Sequence, residues 1–119
     1  MKIAIVGSRS FNDYQYFQQM LKWFTFSYII SGGAKGADTL AKRYAIEHGI
    51  PFKEHLPNWD RDGKSAGFIR NQLIVNDCDE LIAFWDKTSR GTKHSINIAE
   101  NAGKPVHIFW PDIEENIGT

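Results

Sequence analysis

Five short apolar runs alternate with segments whose apolar residues recur at helical spacing. This alternation restricts the chain more than any other feature. The runs are KIAIV (2–6), SYIIS (27–31), FKEHL (52–56), ELIAFW (80–85) and VHIF (106–109). They are rich in β-branched and aromatic residues and too short to be helices. Between them, residues 14–24 place Tyr14, Phe17, Leu21 and Phe24 on one helical face, and Asn12 with Gln15 resembles a capping box. A second helix carries Ala37, Leu40, Ala41, Tyr44 and Ala45 inward and stops at Gly49, with Pro51 beyond. A third covers about 67–76 with Ile69, Leu73 and Ile74 inward. A fourth runs from about Thr92 to Ala102 and ends at Gly103-Lys104-Pro105. Residues 57–66 read as a polar loop. The succession predicts an α/β fold: a five-stranded parallel sheet with helices on both faces, a Rossmann-like three-layer sandwich of strand order 3-2-1-4-5. A chain of 119 residues is one domain's worth. Residues 1–110 are read as that domain and 111–119 as a short C-terminal tail.

In such a sheet, ligands bind beyond the carboxyl ends of the strands where strand order reverses. Three loops reach that crevice: GSRSF (7–11), SGGAKGAD (31–38) and WDKTSRGT (85–92). All are rich in small residues, and the last two lead straight into helices. Glycine lets backbone N–H groups approach a ligand, and a helix N-terminus offers free donors and partial positive charge. The expected occupant is an anion, foremost a phosphate; the alternative is tight helix–sheet packing. Candidate ligand-binding residues are Gly7, Ser8, Arg9, Ser31, Gly32, Gly33, Ala34, Gly36, Asp38, Arg70, Asn71, Asp86, Ser89, Gly91 and Thr92.

Each has a plainer reading. Arg70, near the start of the third helix, can present its guanidinium to a phosphate or form an ion pair. Asp38 suits a ribose hydroxyl or simply complements a helix start. Arg9 covers the anion or is an ordinary exposed arginine. Asp86 touches the sugar or orients Arg70. His94 is a general acid/base or a polar helix residue. Trp59 stacks on a base or covers the sheet edge. Phe17, Leu21, Trp23, Phe24 and Trp110 read as packing or interface residues, and apolar excess on the first helix would suit a homo-oligomer.

Several classes are disfavoured. The first strand is not followed by G-x-G-x-x-G, against an ordinary NAD dehydrogenase. Gly63-Lys64-Ser65 resembles part of a P-loop, but Asn58 stands where the leading glycine belongs. No His/Cys spacing suits zinc and no G-x-S-x-G is present, so no metal and no required cofactor are expected. Lys plus Arg equals Asp plus Glu at 14 each, which makes nucleic acid an unexpected partner. No apolar stretch suits a membrane span, and the apolar start reads as a strand rather than a signal peptide. With Cys78 the single cysteine, a cytoplasmic setting is expected.

VGSRSF, SGGAKGAD, PNWDRDGKSAGFIRN, DELIAFWD and SRGTKHSI with the following GKPV together resemble the SLOG superfamily, in its YspA (cpYpsA-related) branch. The resemblance covers about residues 3–109. SGGAKGAD and FIRNQLIV also resemble the DNA-processing protein A family and the Lonely-guy phosphoribohydrolases. The resemblance implies a site for a nucleotide or nucleotide derivative, such as AMP, ADP-ribose or a cyclic or NAD-derived messenger. Arg70 and Gly91-Thr92 match the hydrolases, but Ser95 occupies the position of their glutamate, and Thr88-Ser89-Arg90 replaces their Pro-Gly-Gly. A carboxylate supports glycosidic cleavage, so an enzyme here would need Asp38, Asp86 or His94 instead. The expected function is binding of a nucleotide-derived ligand in a sensing or sequestering role. The alternatives are a nucleotide-cleaving enzyme and a DNA-associated protein.

Overall fold

A computed structural model describes residues 1–111. The elements are β1 (Lys2–Gly7), α1 (Tyr14–Leu21), β2 (Tyr28–Ser31), α2 (Ala37–His48), β3 (Phe52–Glu54), α3 (Trp59–Asp62), a 3-10 turn (Gly63–Ser65), α4 (Ala66–Asp77), β4 (Glu80–Phe84), α5 (Arg90–Asn101) and β5 (Val106–Phe109). The sheet is parallel in the order β3-β2-β1-β4-β5, as the alternation predicts. Of the expected tail, 111–119, residues 112–119 lie outside the described residues.

Strand alternation builds the two faces. Ile3 and Ile5 of β1, with Ile82 and Phe84 of β4, meet Phe17 and Leu21 of α1 and Ala37, Ala41 and Ala45 of α2. Ala4 and Val6, with Leu81 and Ala83, meet Ile74 and Val75 of α4 and Ile96 and Ala99 of α5. The alanine stripe lets α2 lie close to the sheet, which brings its N-terminus up to the end of β1.

Five local expectations are corrected. The cap of α1 is Asp13, whose carboxylate accepts from the Tyr16 N–H at 3.0 Å; Asn12 lies one residue outside. The helix ends at Leu21, where i→i−3 bonds from Trp23 and Phe24 tighten the chain; Phe24 still packs on the core, but Trp23 is 80% exposed. The segment 57–66 is not simply a loop. Asn58 accepts from the Arg61 N–H at 3.0 Å and starts α3, and the 3-10 turn then leads into α4. Ile69 and Leu73 face outward, and Ala66, Asn71, Ile74 and Val75 face in. The run Leu73-Ile74-Val75 admits two helical phases. The hydrogen bonds that bury the polar Asn71 fix the other one. Strands β3 and β4 are also shorter than their apolar runs, and Leu56 beyond β3 is exposed.

Where α4 turns into β4, its last carbonyls are satisfied by a side chain. Lys104 Nζ donates to the carbonyls of Val75 at 2.5 Å, Asn76 at 3.3 Å and Cys78 at 2.7 Å. A cation at a helix C-terminus also opposes the helix dipole favourably. Lys104→Met is expected to lower stability by about 1–3 kcal/mol, the scale of hydrogen bonds to a charged group. Urea denaturation with circular dichroism would read this, and Lys104→Arg is expected to recover part of the loss.

Candidate functional site

The crevice lies at the carboxyl ends of β1, β2 and β4. Its shape depends on how closely the first two loops meet. A Cβ on Gly36 would lie 2.2 Å from the Ser8 carbonyl oxygen and 2.8 Å from Arg9 Cα. Gly36 also has φ +81°, a conformation strained for any other residue. A Cβ on Gly7 would lie 2.5 Å from Ala37 Cβ. These two glycines let the 7–11 loop and the start of α2 touch. Gly32 has another reason: a Cβ there would lie 2.6 Å from Arg70 Nη1. The room that SGGAKGAD leaves is therefore partly taken by protein, by the Ser8–Arg9 backbone and by the Arg70 guanidinium.

Arg70 is half-buried between loops. Its Nη1 donates to the Gly32 carbonyl at 2.6 Å, and its Nε donates to Asn71 Oδ1 at 3.0 Å. Asn71 Nδ2 donates to the Gly91 carbonyl at 3.2 Å and faces His94 Nδ1 at 3.2 Å. The amide thus links the guanidinium to the start of α5. With both Asn71 donors used, His94 Nδ1 must accept and its proton sits on Nε2. Burial pushes the His94 pKa down, consistent with the neutral ring, which also packs against Phe68 at 4.5 Å.

Asp38, in the first turn of α2, is buried with one oxygen satisfied. The Ala34 N–H donates to Oδ2 at 3.0 Å. Ser31 Oγ lies buried on the same side, yet it and Asp38 Oδ1 have no hydrogen-bond partner among the described residues. Burial pushes the Asp38 pKa up to about 6, against the opposing pull of the Ala34 N–H, the Arg70 charge, and the Ser31 hydroxyl and Gly32 N–H, which lie close by without forming well-aligned hydrogen bonds. At α5, Ser89 is the N-cap: its Oγ accepts from the Thr92 N–H and lies 3.0 Å from Thr92 Oγ1.

These groups enclose a cavity of about 110 Å³. Gly7, Arg9, Ala34, Asp38, Arg70, Asn71, Ser89, Gly91 and Thr92 line it, as grouped from the sequence. Val6, Ile74 and Ser95 complete the wall. Asp38 is its one carboxylate, and the starts of two twelve-residue helices, α2 and α5, meet there. A second cavity of about 270 Å³ adjoins it, sharing Arg9, Ala34 and Arg70 and adding Gly32, Gly33, Lys35, Pro57 and Trp59.

The remaining candidates stand behind these walls. Ser8 Oγ accepts from the Asp86 N–H at 3.2 Å and so joins the ends of β1 and β4. Asp86 Oδ1 accepts from the N–H groups of Thr88 at 2.9 Å and Ser89 at 2.8 Å, holding Lys87 at φ +70°. It shapes the loop and does not contact Arg70 by hydrogen bond. His94 is one residue removed, beyond Asn71, and Gly36 and Ser31 support rather than line the cavities. Val6, Ile74 and Ser95 carry no polar signal that marks a site in the sequence. Among the described residues no group of three or more His, Cys, Asp or Glu could hold a metal ion, and no helix is long and apolar enough to cross a membrane.

Two outcomes follow. Asp38 ionises near pH 3.8 when unfolded and near 6 when folded, so the folded state binds more protons between these values and stability falls as pH rises through them. Asp38→Asn is expected to stabilise the protein above pH 6, by up to about 3 kcal/mol, and to have little effect below pH ~4. Urea denaturation at the two pH values would measure this. For His94, nitrogen-detected NMR is expected to show the Nε2–H tautomer and a titration midpoint below the ordinary histidine value.

Comparison with known proteins agrees with this architecture. The sequence model of the YspA, cpYpsA-related SLOG family matches residues 1–61. The chain is 36% identical over 87 residues to Gene 61 protein of Mycobacterium phage D29, covering 68% of this chain and 70% of the phage protein. The X-ray structure of DNA processing protein A (DprA) from Streptococcus pneumoniae superposes with a TM-score of 0.77 at 20% identity, over 94% of this chain. The chain spans about half of that structure, 51%, and the likeness is one of fold.

Proposed function

Since the chain belongs to the YspA, cpYpsA-related SLOG family, we propose that it binds a phosphorylated, nucleotide-derived ligand in the crevice beyond β1, β2 and β4. The observation that carries this reading is the inner cavity. Two helix N-termini, a half-buried guanidinium and the buried Asp38 carboxyl converge on it. The helix starts and Arg70 supply donors and positive charge for a phosphate. The Asp38 carboxyl, which lines the cavity, supplies an acceptor for a sugar hydroxyl. Thr92 and Ser89 add hydroxyl groups that donate or accept as the ligand requires. The role is sensing or sequestration.

A second reading, cleavage of the bound nucleotide, draws on Asp38. With a pKa of about 6, its carboxyl is present in both protonation states near neutrality, as an acid/base group requires. Ser95, buried and donating to the Gly91 carbonyl at 3.4 Å, offers no carboxylate from the opposite wall. The fold likeness to a DNA processing protein adds a DNA-associated role, against which the balanced charge counts.

Calorimetric titration with AMP, ADP, ADP-ribose and a single-stranded oligonucleotide is expected to show saturable one-site binding to at least one mononucleotide derivative. Arg70→Ala is expected to weaken that binding roughly tenfold or more, the scale of a charge-assisted hydrogen bond to phosphate. Binding to the oligonucleotide alone, steeply weakened by salt, would transfer the function to DNA. Chromatographic release of free base, lost in Asp38→Asn, would establish cleavage.

A further inference from the structure

Asp38 is a buried carboxyl without an ion-pair partner. It lines the same small cavity as the Arg70 guanidinium. Arg70 directs its hydrogen bonds to the Gly32 carbonyl and to Asn71 Oδ1, and none joins it to Asp38 among the described residues. The carboxyl has one firm donor, the Ala34 N–H on Oδ2 at 3.0 Å. Oδ1 is closed off from solvent, and so is the Ser31 hydroxyl close beside it; neither has a hydrogen-bond partner among the described residues. A hydroxyl can donate to a carboxylate or accept from a carboxylic acid. Ser31 therefore suits either state of Asp38, and a proton can come and go without a rebuilt wall. A buried carboxylate that lacks a paired cation favours its neutral form. Burial pushes this one up to about 6, so a new charge nearby changes its protonation around neutral pH.

We propose that Asp38 is a proton switch on the crevice: an anion settling against Arg70 replaces the carboxylate as the guanidinium's counter-charge, Asp38 takes up a proton, and anion affinity falls as pH rises. This inference rests on the proposed phosphate binding at the inner cavity and adds its regulation. The step balances: solvent supplies one proton, which ends on the Asp38 carboxyl, and no bond to the anion is made or broken. The sign follows from linkage. An anion close to Asp38 makes its ionised form more costly, so the bound state holds more protons than the free state. The surrounding charges differ in kind. Arg9 and Arg70 contribute cations to the cavity, and Lys35 lines the adjoining one. Against the opposing effect of burial, the Thr88 and Ser89 N–H groups hold the Asp86 carboxyl below its ordinary range. Glu54 of β3 lies behind Gly33 in an ion pair with Lys42 at 3.1 Å. From α1, Tyr14 meets Glu47 at the far end of α2. His94 of α5 is the rival proton carrier; it stands behind Asn71, and burial pushes its pKa down.

Sulfate is the probe, because its own charge is constant from about pH 5 to about pH 8 and phosphate's is not. Calorimetric titration is expected to show sulfate affinity falling roughly tenfold across that range. At about pH 7, titration in two buffers of unlike ionisation enthalpy is expected to show net proton uptake. In carbon-13 NMR, the Asp38 carboxyl is expected to titrate around 6 in the free protein and at higher pH with sulfate bound. Asp38→Asn, neutral at every pH, is expected to flatten the affinity profile and abolish the uptake, whereas His94→Gln is expected to keep both. Equal sulfate affinity at the two ends of the range, or a pH dependence that survives Asp38→Asn, would overturn the switch while leaving anion binding standing. Absence of sulfate binding at every pH would overturn both. Circular dichroism of each variant separates lost folding from lost linkage.

Discussion

The hydrogen bond from Arg70 to the Gly32 carbonyl, at 2.6 Å, joins parts of the chain that sequence separates by 38 residues. It draws α4 against the loop after β2. Through Asn71 the same side chain reaches the Gly91 carbonyl at the start of α5. The crevice therefore has walls from both halves of the sheet, tied by one half-buried cation. Burial makes that charge less comfortable, and the Asp38 carboxylate opposite relieves it. Both groups line the small inner cavity, the setting of the proposed ligand.

Close packing around the glycines supports this arrangement. Gly7 and Gly36 allow the ends of β1 and the start of α2 to meet with no side chain between them. Gly32 gives its space to Arg70. Packing and ligand recognition are thus not competing explanations of SGGAKGAD. Some of its glycines seat the protein's own groups, and those groups in turn bound the cavity. Asp86 and Ser8 serve the same end on the other side, fixing the loop that delivers Ser89 and Thr92.

Strand order and layer assignment were legible because strand and helix periods alternate cleanly and parallel crossovers leave few topologies. The three loops were legible because small residues cluster where strands end. Less legible was anything set by tertiary contacts. Buried Asn71 rotates α4 so that Ile74 and Val75 face in and Ile69 and Leu73 face out, a choice between two phases that local periodicity leaves open. Asp86 and His94 carry chemistry by residue type, but their hydrogen bonds to backbone and to Asn71 place them behind the cavity wall. Val6 and Ile74 line it and read in sequence only as core. The short α3 is not legible in the sequence because four residues carry no period; only Asn58 marks its start.

On the proposed reading, that the crevice takes a phosphorylated nucleotide derivative, the chain should carry or capture one molecule per site. Native mass spectrometry of gently purified protein, before and after addition of nucleotides, measures this most directly. The account predicts a mass excess of one nucleotide derivative per chain, released on denaturation and absent from Arg70→Ala. A bare chain mass under both conditions, with the fold intact, would contradict it.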